Sequence, residues 1–130
     1  PDAQDLPQII ERLKSQQTNG GAIALLAIDE EFFMIIRVLG SHIKLFLSDI
    51  TCAIDYEIAA EFIELCDLEM PEEDDEPFPA GDLDIISDIG VHRMELSTLC
   101  DDPDLFPDEQ LEAIASRLGF GEEYAQLLEL

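Results

Sequence analysis

Residues 22–47, AIALLAIDEEFFMIIRVLGSHIKLFL, decide the fold of this chain. The stretch divides into three short apolar runs, at 22–28, 32–39 and 43–47, that are rich in Ile, Val, Phe and Leu. Turn-forming residues separate the runs, with DEE at 29–31 and GS at 40–41. Short apolar runs bounded in this way are typical of strands, so we predict three antiparallel strands joined as a meander.

The first two runs are apolar at nearly every position, and only Arg37 interrupts the second. A strand with one face in water alternates apolar and polar residues, whereas a continuously apolar strand is buried on both faces. The sheet therefore needs cover on each face, from helices or from a partner subunit. We expect helices over 6–18 and 56–66 to supply only part of it, which favours a homodimer formed through the sheet.

Helical patterns precede and follow the predicted strands. Asp5 is a suitable N-cap for a first helix, with Gln8 three residues later, and glycines at 20–21 end that helix. Ser48 and Asp49 open a second helical segment that continues to about residue 66. Apolar residues recur at helical spacing in both: Leu6, Ile9, Ile10 and Leu13 in the first, and Ile58, Ala59, Phe62 and Ile63 in the second.

Beyond residue 81 the apolar patterns predict short helices at 83–89, 93–100, 107–118 and 122–129. Pro107 suits the first turn of its helix, and Gly119 suits the position after the last turn.

The predicted fold class is therefore α+β. It consists of an antiparallel meander sheet of at least three strands with flanking helices, followed by a small all-helical C-terminal unit. The predicted boundaries are 1–68 for the α+β unit, 69–80 for an acidic, proline-flanked connector and 81–130 for the helical unit.

Charge is the most unusual property of the chain. Its 130 residues include 31 acids and 6 bases, for a formal net charge of −25, yet 47 % of the residues are hydrophobic. Residues 1–50 hold seven acids and four bases, whereas residues 51–130 hold 24 acids and two bases. A field of this sign repels nucleic-acid phosphates and anionic lipid and favours basic partners. We expect a folded core, no direct nucleic-acid binding, no membrane association and a basic protein partner.

The five carboxylates at 72–76 follow Pro71 and precede the sequence PFP at 77–79. A charge run flanked by prolines is most simply an extended, solvated spacer. A spacer does not require an aromatic residue, so we expect Phe78 either to dock on the core or to contact a partner.

No metal site or cofactor is expected from the spacing of the acids. An EF-hand loop that started at Asp82 would place Arg93 at position 12, and one that started at Asp101 would place Pro103 at a ligand position.

The histidines and cysteines offer no catalytic or zinc-binding pattern. His42 and His92 are far apart, and Cys52, Cys66 and Cys100 form no C-x-x-C pair. Each cysteine lies in an apolar helical stretch, so we expect small buried side chains. No nucleophile elbow or phosphate-binding glycine loop occurs, so the protein is predicted not to be an enzyme. The odd cysteine number and the lack of a membrane span or signal-peptide pattern favour the cytoplasm.

Three segments resemble the actinobacterial family of tRNA adenosine deaminase-associated proteins: LFLSD at 45–49, GDLDIISDIG at 81–90 and DEQLEAIASRLGF at 108–120. With the acidic connector, the similarity covers most of the chain in order. The H-x-E and P-C-x-x-C motifs of zinc nucleobase deaminases are absent, so the resemblance implies an accessory role and not deaminase activity. It also implies a further strand ahead of the first helix, and this sequence starts at Pro1, after that position.

Two functions from different classes stay open. The first is an acidic, non-enzymatic accessory protein that binds a basic protein partner, with tRNA adenosine deaminase as the candidate. The second is an enzyme or small-ligand-binding protein with a pocket between the sheet and the C-terminal helices. For the first, the candidate partner-binding residues are Glu72, Glu73, Asp74, Asp75, Glu76, Phe78, Asp82, Asp84, Asp88, Asp101, Asp102 and Asp104.

Overall fold

The computed structural model describes residues 6–16, 21–28, 31–72, 74, 79–86, 91–100, 106–117 and 124–129. The strands form one sheet in the order β4-β3-β2-β1-β5. In chain order the elements are α1 (Leu6–Gln16), β1 (Ala22–Ile28), β2 (Phe32–Leu39), β3 (His42–Leu47), a 3-10 helix (Ile50–Ile54), α2 (Glu57–Leu65), β4 (Ala80–Gly81), α3 (Arg93–Cys100), α4 (Pro107–Arg117) and β5 (Tyr124–Glu129).

The meander predicted for the three apolar runs is confirmed. β1 pairs antiparallel with β2, where Leu25 lies opposite Ile35, and β2 pairs antiparallel with β3, where Ile35 lies opposite Phe46. Gly40 turns the chain between β2 and β3 with a φ of 63°, a left-handed conformation that glycine adopts at little cost. The α+β class is confirmed with it: β1–β4 pair antiparallel and have flanking helices, and α3 and α4 form a helical C-terminal part.

Helices from the first half of the chain cover one face of the sheet. Successive strand residues point to opposite faces, and one alternate set from β1 and β2 packs against α1 and α2. We call this cluster the α1–α2 core. Its buried members are Leu6, Ile9, Ile10, Leu13, Ala22, Ala24, Leu26, Ile28, Phe32, Met34, Ile36, Val38, Leu45, Leu47, Ile50, Ala53, Ala59, Phe62 and Ile63.

The second half of the chain covers the opposite face. The other alternate set of strand residues packs against α3, α4 and the segment after β4, and we call this cluster the α3–α4 core. Both faces of β1 and β2 are thus covered within one chain, which explains their continuous apolar pattern. The buried members are Ile23, Leu25, Ala27, Phe33, Ile35, Phe46, Ile85, Ile86, Val91, Leu96, Leu111 and Ile114.

The helix predicted over 122–129 is wrong. Tyr124–Glu129 is the strand β5, which pairs parallel with β1 and places Leu127 beside Leu25. The sequence YAQLLE has enough Ala, Gln, Leu and Glu to favour a helix locally. In the folded chain, however, β1 pairs with β2 on one side only, and β5 satisfies the backbone groups of its other edge. Tertiary pairing therefore overrides local propensity, and the final segment joins the sheet.

The helical segment predicted from residue 49 to about 66 is divided in two. Asp49 caps the short 3-10 helix, since its Oδ1 accepts a hydrogen bond of 2.9 Å from the backbone N–H of Thr51. α2 then begins at Glu57. The helix predicted over 83–89 is replaced by turns at 83–86, and residues 87–90 lie outside the described ranges, as do Asp5 and Gly119.

β4 leads the chain from the connector into the C-terminal half. It consists of Ala80 and Gly81, which pair with Leu47 and Phe46 of β3. Gly81 has a φ of 99°, and a Cβ at this position would collide with the backbone oxygen of Leu45. Asp82 donates its backbone N–H to that same oxygen at 2.9 Å. Glycine is required here because the two backbones approach so closely.

Candidate partner-binding surface

The structure describes four of the predicted partner-binding residues. Glu72, Asp74 and Asp84 are exposed, and Asp82 is half-buried. The described part of the connector therefore presents its carboxylates to solvent, as an encounter surface requires. The remaining predicted residues lie outside the described ranges: Glu73, Asp75, Glu76, Phe78, Asp88, Asp101, Asp102 and Asp104.

Asp82 and Asp84 organise the chain after β4. Oδ1 of Asp82 accepts a hydrogen bond of 2.9 Å from the backbone N–H of Asp84. Oδ1 of Asp84 in turn lies 3.2 Å from Nε of Arg93, the first residue of α3. This ion pair is more than half exposed, and such pairs stabilise a fold by about 0–1 kcal/mol. Both carboxylates thus have local structural contacts, and Arg93 offsets the charge of Asp84.

An apolar patch that was not predicted from the sequence lies at the end of α2. Leu65, Leu68 and Met70 are 53 %, 39 % and 52 % exposed, and we call them the α2-end patch. The acids that alternate with them, Glu64, Asp67 and Glu69, are exposed as well. Residues 51–80 contain eleven acids and no base, so every charged residue that neighbours the patch in the sequence is acidic.

Backbone hydrogen bonds fix the conformation of the chain at the patch. Asp67 has a φ of 55°, in the left-handed region. Leu68 donates its N–H to the oxygen of Ile63 at 3.0 Å, and Asp67 donates to Glu64 at 3.2 Å. This pair of bonds is the Schellman motif that ends many helices. The patch therefore begins on a hydrogen-bonded helix end, and these bonds fix the backbone of Leu68 relative to α2.

The sequence contained a usable signal for this patch. The stripe predicted for α2 is buried at Ala59, Phe62 and Ile63, as expected. The 3.6-residue period of a helix places Leu65 on a different side of α2 from that stripe. Leu68 and Met70 follow it within an acidic segment. An apolar residue outside the buried stripe of a helix, followed by two more apolar residues among carboxylates, is the sequence pattern that indicates such an exposed patch.

Two polar side chains are buried where the alternative hypothesis placed a ligand pocket, between the sheet and the C-terminal helices. Arg37 is 4 % exposed, and its Nη1 donates a hydrogen bond of 2.9 Å to the backbone oxygen of Ile85. Gln110, also buried, donates its side-chain Nε2 to the backbone oxygen of Leu99, which joins α4 to α3. Both groups therefore hold backbone segments together inside the apolar α3–α4 core.

The cysteine environments do not favour a reactive thiolate. Burial, followed by the nearby carboxylate of Asp49, raises the pKa of Cys52 to about 12. Burial also raises the pKa of Cys66. Nucleophilic cysteines need a lowered pKa. Cys52 and Cys66 pack half-buried against the α1–α2 core, and Cys100 packs half-buried against the α3–α4 core.

The histidines and carboxylates of the described ranges form no metal-binding arrangement. His42 on β3 and His92 before α3 are both exposed. Within the residues that the structure describes, no group of three or more His, Cys, Asp and Glu side chains could hold a metal ion. A membrane-spanning segment is not found either, because no helix in this described part of the chain is long and apolar enough to cross a bilayer.

The fold and surface define an acidic α+β protein whose sheet is covered by helices on both faces. A family model for Rv3753c-like tRNA adenosine deaminase-associated proteins matches residues 1–121. The chain is also 42 % identical over 120 residues to Protein Rv3753c of Mycobacterium tuberculosis (strain ATCC 25618 / H37Rv), which covers 90 % of this chain and 69 % of that protein. The chain belongs to the Rv3753c-like tRNA adenosine deaminase-associated family, which confirms the resemblance found in the sequence. No solved structure matches the chain.

Proposed function

We propose that this chain is an acidic, non-enzymatic accessory protein that binds a basic surface of a protein partner, with a tRNA adenosine deaminase as the leading candidate. The observation that carries the proposal is membership of a family described as tRNA adenosine deaminase-associated. An enzyme that acts on tRNA needs a basic face, because clustered Lys and Arg neutralise phosphates. A chain with a net charge of −25 has the opposite sign, and complementary potentials accelerate association and select partners.

The second half of the chain supplies the encounter surface in this proposal. It holds 24 of the 31 acids, and Glu72 and Asp74 of the connector are exposed. In the sequence the connector lies between α2 and β4, and Met70 of the α2-end patch is one of its first residues. The three cysteines are free, which suits a reducing compartment, and we propose the cytoplasm as the location.

The other functions receive less support from the packing. The space between the sheet and the C-terminal helices contains fully buried Phe33, Ile35 and Leu111, which leaves the small-ligand hypothesis without a specific observation in its favour. The homodimer through the sheet was predicted because the strand faces were expected to need more cover than two helices supply. Since α1, α2, α3 and α4 cover those faces, that motive is weaker, although the edges of the sheet are a separate surface.

The test measures association of the full chain with the deaminase by surface plasmon resonance at several salt concentrations. A connector variant, Glu72→Gln/Asp74→Asn, is compared with a control, Glu11→Gln/Glu31→Gln, that removes the same charge from exposed positions in the first half of the chain. We expect salt to slow association of the wild type, and the connector variant to associate about tenfold more slowly than the control. Free tRNA should not bind. Absence of binding between the wild-type chain and the deaminase at low salt would overturn the proposal.

A further inference from the structure

We infer that the α2-end patch is the docking site for a basic, amphipathic segment of the protein partner. The apolar side chains of that segment would cover Leu65, Leu68 and Met70, and its Lys and Arg side chains would face the surrounding carboxylates. The inference rests on the proposed function and adds to it the place of contact and the chemistry of the partner segment.

The first observation is the concentration of exposed apolar surface. Three large apolar side chains fall within six residues at the end of α2, and each is at least 39 % exposed. A single exposed apolar residue is ordinary, whereas a group of them with a polar rim is characteristic of an interaction site. The pair Leu39 and Ile43 at the turn between β2 and β3 is also exposed, but His42 and Lys44 lie beside it and give it a different charge environment.

The second observation is charge, which selects the occupant. Glu64, Asp67 and Glu69 alternate with the patch residues and are exposed. A second copy of this chain also carries a net charge of −25, and if it docked through the same patch, the same three acids would face this rim; like charges placed together across an interface oppose association. Nucleic acid and anionic lipid are disfavoured for the same reason. A peptide segment with Lys and Arg on one face and apolar residues on the other could pair its cations with the rim carboxylates and cover the apolar patch.

The third observation is the fixed backbone at Leu65 and Leu68. The bonds from Leu68 to Ile63 and from Asp67 to Glu64 hold the turn after α2. A backbone that is already ordered loses less conformational entropy when a partner binds. An amphipathic helix that lies in an apolar site contacts it through residues at i, i+3, i+4 and i+7, and a short patch of three side chains fits one or two turns of such a helix.

Apolar anchors and charged rims affect different rate constants, which makes the two contributions separable. Rim charges act mainly on the association rate constant, whereas buried contacts act mainly on the dissociation rate constant. Loss of the α2-end patch should therefore speed dissociation at every salt concentration. Loss of connector charge should slow association, and this effect should fade as salt rises.

The experiment uses the full chain with Leu65→Gln/Met70→Gln, which keeps Leu68 because that residue belongs to the helix-ending turn. The control is Met94→Gln/Phe106→Gln, which removes a comparable pair of exposed apolar side chains, 78 % and 61 % exposed, from the opposite half of the chain. Circular dichroism and urea unfolding verify that both variants are folded. The probes are the deaminase, a synthetic amphipathic Lys/Leu helix and a scrambled peptide of the same composition.

We expect the patch variant to dissociate from the deaminase at least tenfold faster than the wild type, and the control to match the wild type. The amphipathic helix should bind the wild type and not the patch variant, and the scrambled peptide should bind neither. If the deaminase binds wild type and patch variant equally, the docking site is overturned and the proposed function stands. If only the amphipathic helix binds, the proposed deaminase partner is overturned and the docking chemistry stands. A dimer in sedimentation that the patch variant dissociates would assign the patch to a second copy and overturn the inference.

Discussion

Nη1 of Arg37, on the central strand β2, donates a hydrogen bond of 2.9 Å to the backbone oxygen of Ile85, 48 residues later in the chain. Ile85 follows β4 and is itself fully buried in the α3–α4 core. The bond therefore joins the middle of the sheet to the start of the C-terminal half. It also explains why a guanidinium interrupts an otherwise apolar strand, since buried polar groups occur where they form hydrogen bonds with other buried polar groups.

We predict that Arg37→Ala lowers the free energy of unfolding by about 2–4 kcal/mol, because it leaves the Ile85 oxygen without its donor and opens a cavity. Arg37→Met should cost less, since it fills the volume without burying a charge. Lys44→Ala is the control, as Lys44 lies opposite Arg37 in β3 but is exposed. Urea denaturation measures all three. Equal effects of Arg37→Ala and Lys44→Ala would contradict the structural role of the bond.

The two turn glycines, Gly40 and Gly81, should respond differently to alanine. Both have positive φ, but a Cβ at Gly40 meets nothing within 4 Å, whereas one at Gly81 meets the backbone of β3. We expect Gly40→Ala to lower the free energy of unfolding by about 1 kcal/mol, the cost of a left-handed alanine. Gly81→Ala should cost at least about 1 kcal/mol more, because the backbone must also move. Chemical denaturation of both variants decides this, and a Gly81→Ala variant as stable as Gly40→Ala would show that β4 is not closely held.

Removal of β5 should expose the outer edge of β1. A chain that ends before Tyr124 leaves the backbone groups of residues 22–27 on that edge without their parallel partner. We expect faster hydrogen exchange of the β1 amides that point toward β5 and a stronger tendency to aggregate, because open edges pair with other strands. Exchange monitored by mass spectrometry and light scattering test this. Unchanged exchange in β1 would mean that β5 does not protect it.

Cys52 should react slowly with thiol reagents in alkaline solution. Its folded-state pKa is raised to about 12 from the usual 9.0. Between about pH 9 and pH 12 the thiol therefore keeps its proton in the folded chain and loses it in the unfolded chain. The contribution of this group to stability is therefore complete below about pH 9 and is lost as the pH rises toward 12. Reaction with a thiol reagent at pH 9 should show a slow phase that disappears in Cys52→Ser. A slow phase that persists in this variant would assign it to another cysteine.

Salt should stabilise the isolated chain. A net charge of −25 repels itself in the folded state, and added ions screen exposed charges beyond about 10 Å at 0.1 M. We expect the melting temperature to rise between low and physiological ionic strength, with sodium and potassium chloride equally effective. Calorimetry measures the shift. A melting temperature that falls with salt would indicate that attractive ion pairs, such as Asp84–Arg93, outweigh the repulsion.

Much of the first half could be predicted from sequence because its signals are local. The three apolar runs form β1, β2 and β3, and the stripe of Leu6, Ile9, Ile10 and Leu13 is buried in α1. Helical sequence was also predicted where α3 and α4 form, and Leu111 and Ile114 of α4 are buried in the α3–α4 core. The acidic composition and the three family-like segments also lie in the sequence itself. The α+β class and the family follow from these features alone.

Tertiary structure decided the rest. Tyr124–Glu129 is a strand because its backbone pairs with the N–H and C=O groups on the outer edge of β1. No local sequence pattern in 124–129 shows that this edge is available. The burial of Arg37 depends on the oxygen of Ile85, and the exposure of Leu65 depends on which side of α2 faces the sheet. Periodicity shows that a residue is apolar and where it lies on its own helix or strand. Which face is covered, and by which distant segment, is set by the packing of the whole chain, because burial and hydrogen bonding are satisfied jointly across segments far apart in sequence.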